Sequence, residues 1–165
     1  MVRRILLILL IIFVIIQFIR PARNLSNVVS SNDIAKLYVI PDTVQNILKV
    51  SCYDCHSNNT NYPWYSNIQP VGWWLQWHVN DGKKELNYSE FGSYEPRRQW
   101  RRLKQTAELA QKHEMPLDSY LWIHKESKLS ETQIKLLSDW AESLAEKIRV
   151  DKNVDTTRRQ PVPSK

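Results

Sequence analysis

The chain has 165 residues, with 23 Lys and Arg against 17 Asp and Glu and a net charge of +6, a size that fits one small domain. Its cations are scattered apart from "PRRQWRR" at 96–102, which speaks against a dedicated nucleic-acid reader and favours anionic lipid or an acidic protein partner. Seven Trp and seven Tyr stand beside only three Gly, a composition that suits either the wall of a large flat ligand or a small core stiffened by large side chains.

The first element is "ILLILLIIFVIIQFI" at 5–19, whose only polar side chain is Gln17, preceded by Arg3 and Arg4 and closed by Arg20 and Pro21. No small-x-small cleavage site follows, so residues 1–22 are expected to form an uncleaved transmembrane signal anchor, with a cleaved signal peptide as the rival. The run is shorter than the ~20 residues that fill a bilayer core, so the flanking arginines would have to snorkel. Residues 23–39 read as a polar tether.

Folded sequence is expected from Ile40, in a domain spanning 40–149. "PDTVQNILKV" predicts a short helix, with Asp42 as N-cap, Gln45 three residues on, and Val44, Ile47 and Leu48 on one face. It leads directly into Cys52. Pro70 opens a second helix through "VGWWLQWHVNDGKKEL", with Gly82 near its end. There Trp73 and Trp77, and Trp74 and His78, are four apart, so two adjoining faces carry rings. A third helix follows Pro96, with Trp100, Leu103, Ala107 and Ala110 at helical spacing. In the last, Ser130 and Gln133 form a capping box ahead of Ile134, Leu137, Ala141, Leu144 and Ile148. Residues 150–165 read as a disordered basic tail. The fold class is all-α, with no repeats and no convincing strands.

The chemistry lies in "CYDCH", Cys52 to His56. On a helical turn, residues three and four apart share a face, so two thiols reach neighbouring edges of a porphyrin while the next imidazole lies beneath its centre. Each sulfur can add across a vinyl group and His56 can bind iron, so one covalent haem c is expected. A thioredoxin-type redox pair belongs beside a strand in a βαβ pattern, which is absent here. A zinc site needs four ligands, but the chain has two cysteines and the local spacing is not that of a finger. A Cys52–Cys55 disulfide would close too small a loop to stabilise much. Covalent haem attachment to such motifs takes place outside the cytoplasmic membrane, so the domain is expected on the periplasmic side of a single-pass anchor.

"CYDCHSNNTNYPWYSNIQPVGWWLQWHVNDGKKELNYSEF" and the later "EMPLDSYLWIHKESKLSETQIKLLSDWAESL" resemble the bacterial haem-binding domain family. Its members carry C-x-x-C-H, then S-N-x-T-x-Y-P-W-Y, W-W-x-x-x-H-V and a late M-P. The resemblance runs from about Pro41 to Leu144. It implies a cytochrome-c-like helical domain with one covalent haem and no known reaction.

Met115, before Pro116 and between two helices, resembles the distal methionine loop of many cytochromes c. It is the first candidate for the second iron ligand, where a thioether favours ferrous iron and raises the potential. Methionine is also common core filling. His78 is the alternative ligand and would lower the potential, while His113 and His124 read as structural. Trp64, Tyr65, Trp73, Trp74 and Trp77 are candidates for the haem pocket wall. Asn58, Asn59, Thr60 and Asn61 form a turn whose amides bond the loop or a haem propionate. Two filled axial positions imply single-electron transfer with redox protein partners. An open or displaceable distal position implies a peroxidase or a small-gas sensor instead.

Overall fold

The computed structural model describes residues 1–156. It is all-helical, and no strand occurs among the described residues. The apolar N-terminal run forms α1, Val2–Ile16, none of whose side chains is buried. The structure does not support the expected membrane span: 15 residues rise ~22 Å against a ~30 Å hydrocarbon core. Among the described residues no helix is long and apolar enough to cross a membrane. The helix ends at Ile16, where the chain begins to contact the domain. Gln17 donates to Phe13 O at 2.9 Å and exchanges two bonds with the backbone of Gln69, while Trp73 Nε1 donates to Ile19 O at 2.7 Å. The chain after α1 is thereby tied to the domain instead of lengthening the helix.

Residues 23–39, expected as a tether, lie against the domain. Asn24 Nδ2 donates to Ser57 O and Thr60 Oγ1, both at 2.9 Å, and Ser26 N donates to Asn59 Oδ1 at 2.8 Å. The short α2, Ile34–Leu37, is capped by Asp33 and places a fully buried Ile34 in the core.

Helix α3, Asp42–Ser51, buries Val44, Ile47 and Leu48 on the expected face. Pro41, not Asp42, holds its cap position; Asp42 stands in the first turn, where its charge suits the helix dipole. Gln45, freed from a capping box, donates to Tyr53 Oη at 3.2 Å. One residue later α4, Tyr53–His56, carries the C-x-x-C-H motif. Helix α5, Val71–Glu85, starts after Pro70 and packs on α4. Helix α6, Pro96–Gln111, buries Leu103, Ala107 and Ala110, with Trp100 partly buried against the core. Its chief partner is α8, Glu131–Asp151, and the short α7, Asp118–Leu121, lies between them in sequence. In α8 the Ser130–Gln133 capping box is complete, and Ile134, Leu137, Ala141, Leu144 and Ile148 form the buried stripe. Tyr88 and Phe91, from the 3-10 turns after α5, complete this core. The tail expected from 150 is helical to Asp151 and places Val154 against the core, and its positions 157–165 lie outside the described residues.

Both long C-terminal helices stop the same way. His113 takes φ 56° while its N–H bonds Ala110 O and the N–H of Glu114 bonds Leu109 O; Asn153, at φ 48°, repeats the pattern on α8. This left-handed stop with paired bonds back into the helix is a Schellman end. At α6 it turns the chain back so that Met115 N also points to Leu109 O, at 3.3 Å. Met115 is thus delivered to the end of α6 and not carried past it.

Candidate functional site

Helix α4 is held from three sides. Asp54 accepts from Asn61 N at 2.9 Å and from Tyr120 Oη at 2.8 Å, joining it to the following loop and to α7. Thr60 Oγ1 donates to Asp54 O at 2.6 Å. Against α5 the contact is backbone to backbone: a Cβ added at Gly82 would stand 2.8 Å from Cys55 O and 3.1 Å from Cys55 Cβ. Only glycine permits this approach, and the sequence reading treated Gly82 merely as a helix-end residue.

Cys52 and Cys55 are both free thiols. Burial, helped by mutual repulsion, pushes Cys52 up to about 12, and burial beside Asp54 pushes Cys55 up to about 11. Each therefore stays a protonated thiol at neutral pH. His56 lies with Nδ1 2.8 Å from Leu86 O. A carbonyl only accepts, so Nδ1 carries the proton and donates. Burial holds the imidazole below the usual histidine range despite the pull of the Leu86 and Gly82 carbonyls. With one proton on the ring, Nε2 keeps its lone pair, the state a metal-binding histidine needs.

Three cavities meet around this motif. The first, about 260 Å³, brings Cys52 and His56 together with Met115, Tyr88, Leu109 and Arg102. The second, about 110 Å³, shares Cys52, His56 and Met115 and adds Cys55, His78 and Tyr120. The third, about 90 Å³, continues past Cys55 and His78 to Tyr65, Trp74 and His124. Both thiols, the imidazole and each candidate second ligand thus border connected space.

The aromatic residues expected as its wall divide. Tyr65 and Trp74 line the third cavity. Trp64 and Trp77 are largely exposed, and the Trp73 indole is engaged with Ile19. The wall of the 260 Å³ cavity is instead largely aliphatic and phenolic, with Leu86, Tyr88, Leu109, Leu129 and Leu137. Of these only Leu137 stood in a stripe legible from the sequence, and a helical stripe does not show which of its members border a void.

His78 is wedged against two rings, with centroids 4.5 Å from Trp74 and 4.8 Å from Trp77. Its buried Nε2 meets no hydrogen-bond partner. The other histidines are engaged elsewhere. His113 is exposed near Glu131. His124 donates from Nδ1 to Glu126, accepts from Tyr65 Oη at 2.7 Å and stacks on Tyr120. The asparagine loop is engaged as well: Asn58 bonds Glu90 and Asn87, and Asn59 takes the N–H of Ser26.

No group of three or more His, Cys, Asp and Glu among the described residues is placed to hold a metal ion, so a zinc site has no ligand set. Two free thiols, an imidazole with an open Nε2 and an apolar cavity fit a haem. A model of the haem-binding domain family matches residues 11–143. The chain belongs to the haem-binding domain family. The match begins inside α1, well before Pro41, where the sequence resemblance sets in, so the family domain takes in the docked segment 23–39. No curated protein and no solved structure matches this haem-binding domain.

Proposed function

We propose that this haem protein carries one covalent haem c and passes single electrons. Cys52 and Cys55 would supply the two thioether links, and His56 Nε2 and Met115 would hold the iron. The observation that carries the reading is that His56 and Met115 border the same 260 Å³ cavity as Cys52. When bound, the haem supplies one-electron exchange between ferrous and ferric iron. The chain's own residues set the conditions for it. Leu86 O fixes the tautomer and ring plane of His56 and raises its basicity. The lining of Leu86, Leu109, Leu129 and Leu137 lowers the local dielectric, which disfavours the more highly charged ferric state and raises the potential.

A second reading rests on His78. Its buried, unpartnered Nε2 borders the cavity that also holds His56 and Met115. Bis-histidine ligation through His78 would give a lower potential than His56–Met115.

The apolar side chains of α1 are exposed along its whole length, with Arg3 and Arg4 at its start. This supports a membrane-associated protein whose domain is held near the bilayer by the Gln17–Gln69 and Ile19–Trp73 contacts. Covalent haem attachment supports a periplasmic domain, meeting redox protein partners there.

The test is the purified full chain from cells able to attach haem c. Haem that survives acidified organic solvent, and a sulfur-to-iron band in the oxidised near-infrared spectrum, support the reading. A colourless polypeptide refutes it, and covalent haem without that band moves the second ligand to His78.

A further inference from the structure

Helix α6 opens with Arg97, Arg98, Arg101 and Arg102 on its first two turns and no acidic residue in the first. This is the positive end of the helix dipole, and like charges at these spacings repel. Such an arrangement costs stability unless an anion answers it. The arginines border a groove of about 570 Å³ together with Lys84, Glu85 and the N-cap Glu95, so that five cations face two carboxylates. Glu85 and Arg102 also line the 260 Å³ cavity that holds Cys52, His56 and Met115. The cationic groove and the apolar cavity therefore adjoin across one ion pair.

That pair is uneven. Arg102 Nη2 meets Glu85 Oε2 at 2.6 Å, but the arginine side chain is 14% exposed and the glutamate 54%. Arg102 Nη1 donates to Gln105 at 2.8 Å, and its buried Nε has no acceptor. Arg98 is similarly placed: its guanidinium lies 4.1 Å from the Tyr94 ring centroid, Nη2 donates to Lys84 O, and its buried Nε is also without a partner. Two guanidiniums are thus held in position with a buried donor unused on each, where buried polar groups are ordinarily paired.

We propose that this groove receives the two haem carboxylates, Arg102 gripping the nearer and Arg98 the farther. The proposal rests on the haem reading above. A haem joins an apolar plate to a pair of carboxylates on one edge, matching an apolar cavity that opens onto fixed guanidiniums. A small free anion or an acidic peptide would match the groove alone. The amide of Asn58, another candidate donor for this role, already donates to Glu90 Oε1 at 2.7 Å.

The experiment uses the haem-loaded full chain and reads the propionate bending band by resonance Raman, together with the midpoint potential. Arg102→Gln is expected to shift the band and to lower the potential, since a lost cation favours ferric iron. Arg102→Lys should restore the potential but not the band, because it keeps the charge without the fork. Glu85→Gln, which leaves Arg102 free for the carboxylate, should strengthen the band shift in the opposite sense and remains readable if Arg102 variants fail to fold. Arg149→Gln, which breaks a surface pair with Glu146, should change neither. Covalent haem in Arg102→Gln and Glu85→Gln with the wild-type band overturns the proposal while leaving the haem reading intact. A band that moves only on adding inorganic phosphate assigns the groove to free anions and overturns it too. Wild-type protein without covalent haem sinks the haem reading, and this one with it.

Discussion

Gly82 lies so close to Cys55 that the smallest side chain added to it would stand 2.8 Å from the Cys55 carbonyl oxygen. Helix propensity alone makes Gly82→Ala stabilising by about 1 kcal/mol. The contact reverses the sign, because α4 and α5 must separate. Gly82→Ala is expected to cost about 1–3 kcal/mol in urea denaturation and to lower the yield of haem-loaded protein.

Met115→Ala is expected to remove the sulfur-to-iron band and lower the midpoint potential, while His78→Ala leaves that band in place. The reverse result in the near-infrared spectra of the two variants assigns the ligand to His78.

His113 ends α6 with φ 56°, a conformation that costs an ordinary residue about 1–2 kcal/mol. Glycine avoids this cost but loses more entropy on folding, so His113→Gly should leave stability unchanged or raise it by up to about 1 kcal/mol. His113→Val should lower it by about 1–2 kcal/mol and broaden the Met115 signal, since the same turn aims Met115 at the cavity. Thermal denaturation and spectroscopy of the two variants measure these effects.

In haem-free protein the folded thiols should titrate near about 12 for Cys52 and about 11 for Cys55, against 9.0 for an unperturbed thiol. Alkylation of the folded chain by iodoacetamide should therefore stay slow through pH 9 and accelerate only above it, and in denaturant the rise should come earlier. Below the unperturbed value both states hold the protons and stability is unaffected. Above it the unfolded chain loses them first, so stability falls as pH rises toward the folded values.

Deleting residues 1–16 removes a helix with no buried side chain and leaves Gln17 and Ile19 in place. The thermal midpoint should move by less than about 2 °C, while co-flotation with anionic phospholipid vesicles should be lost. Flotation undiminished by the deletion would refute membrane attachment through α1.

Much of the fold was legible in the sequence, because periodic patterns are local. The stripe of α8 and its capping box read directly, since Ser130 and Gln133 satisfy neighbouring backbone groups whatever surrounds them. The motif at Cys52, Cys55 and His56 read for the same reason: one helical turn holds all three. Asp42 was misread as a cap because the helix starts one residue earlier than its side chain suggests, leaving Pro41 at the cap position without a side-chain bond. The docking of the chain after Ile16 was not legible, because hydropathy does not register the bonds from Gln69 and Trp73 that take it up.

By itself the sequence determined the all-helical class, the two thiols and imidazole on one turn, and the candidates Met115 and His78, all matters of spacing along the chain. Tertiary structure decided which of the aromatic and aliphatic side chains border the cavity, that Leu86 orients His56, that Gly82 admits Cys55, and that Arg102 joins the cationic groove to the apolar space. Those relationships link residues about 20 or more positions apart, and only the packing of whole helices, which no local pattern encodes, brings them within contact.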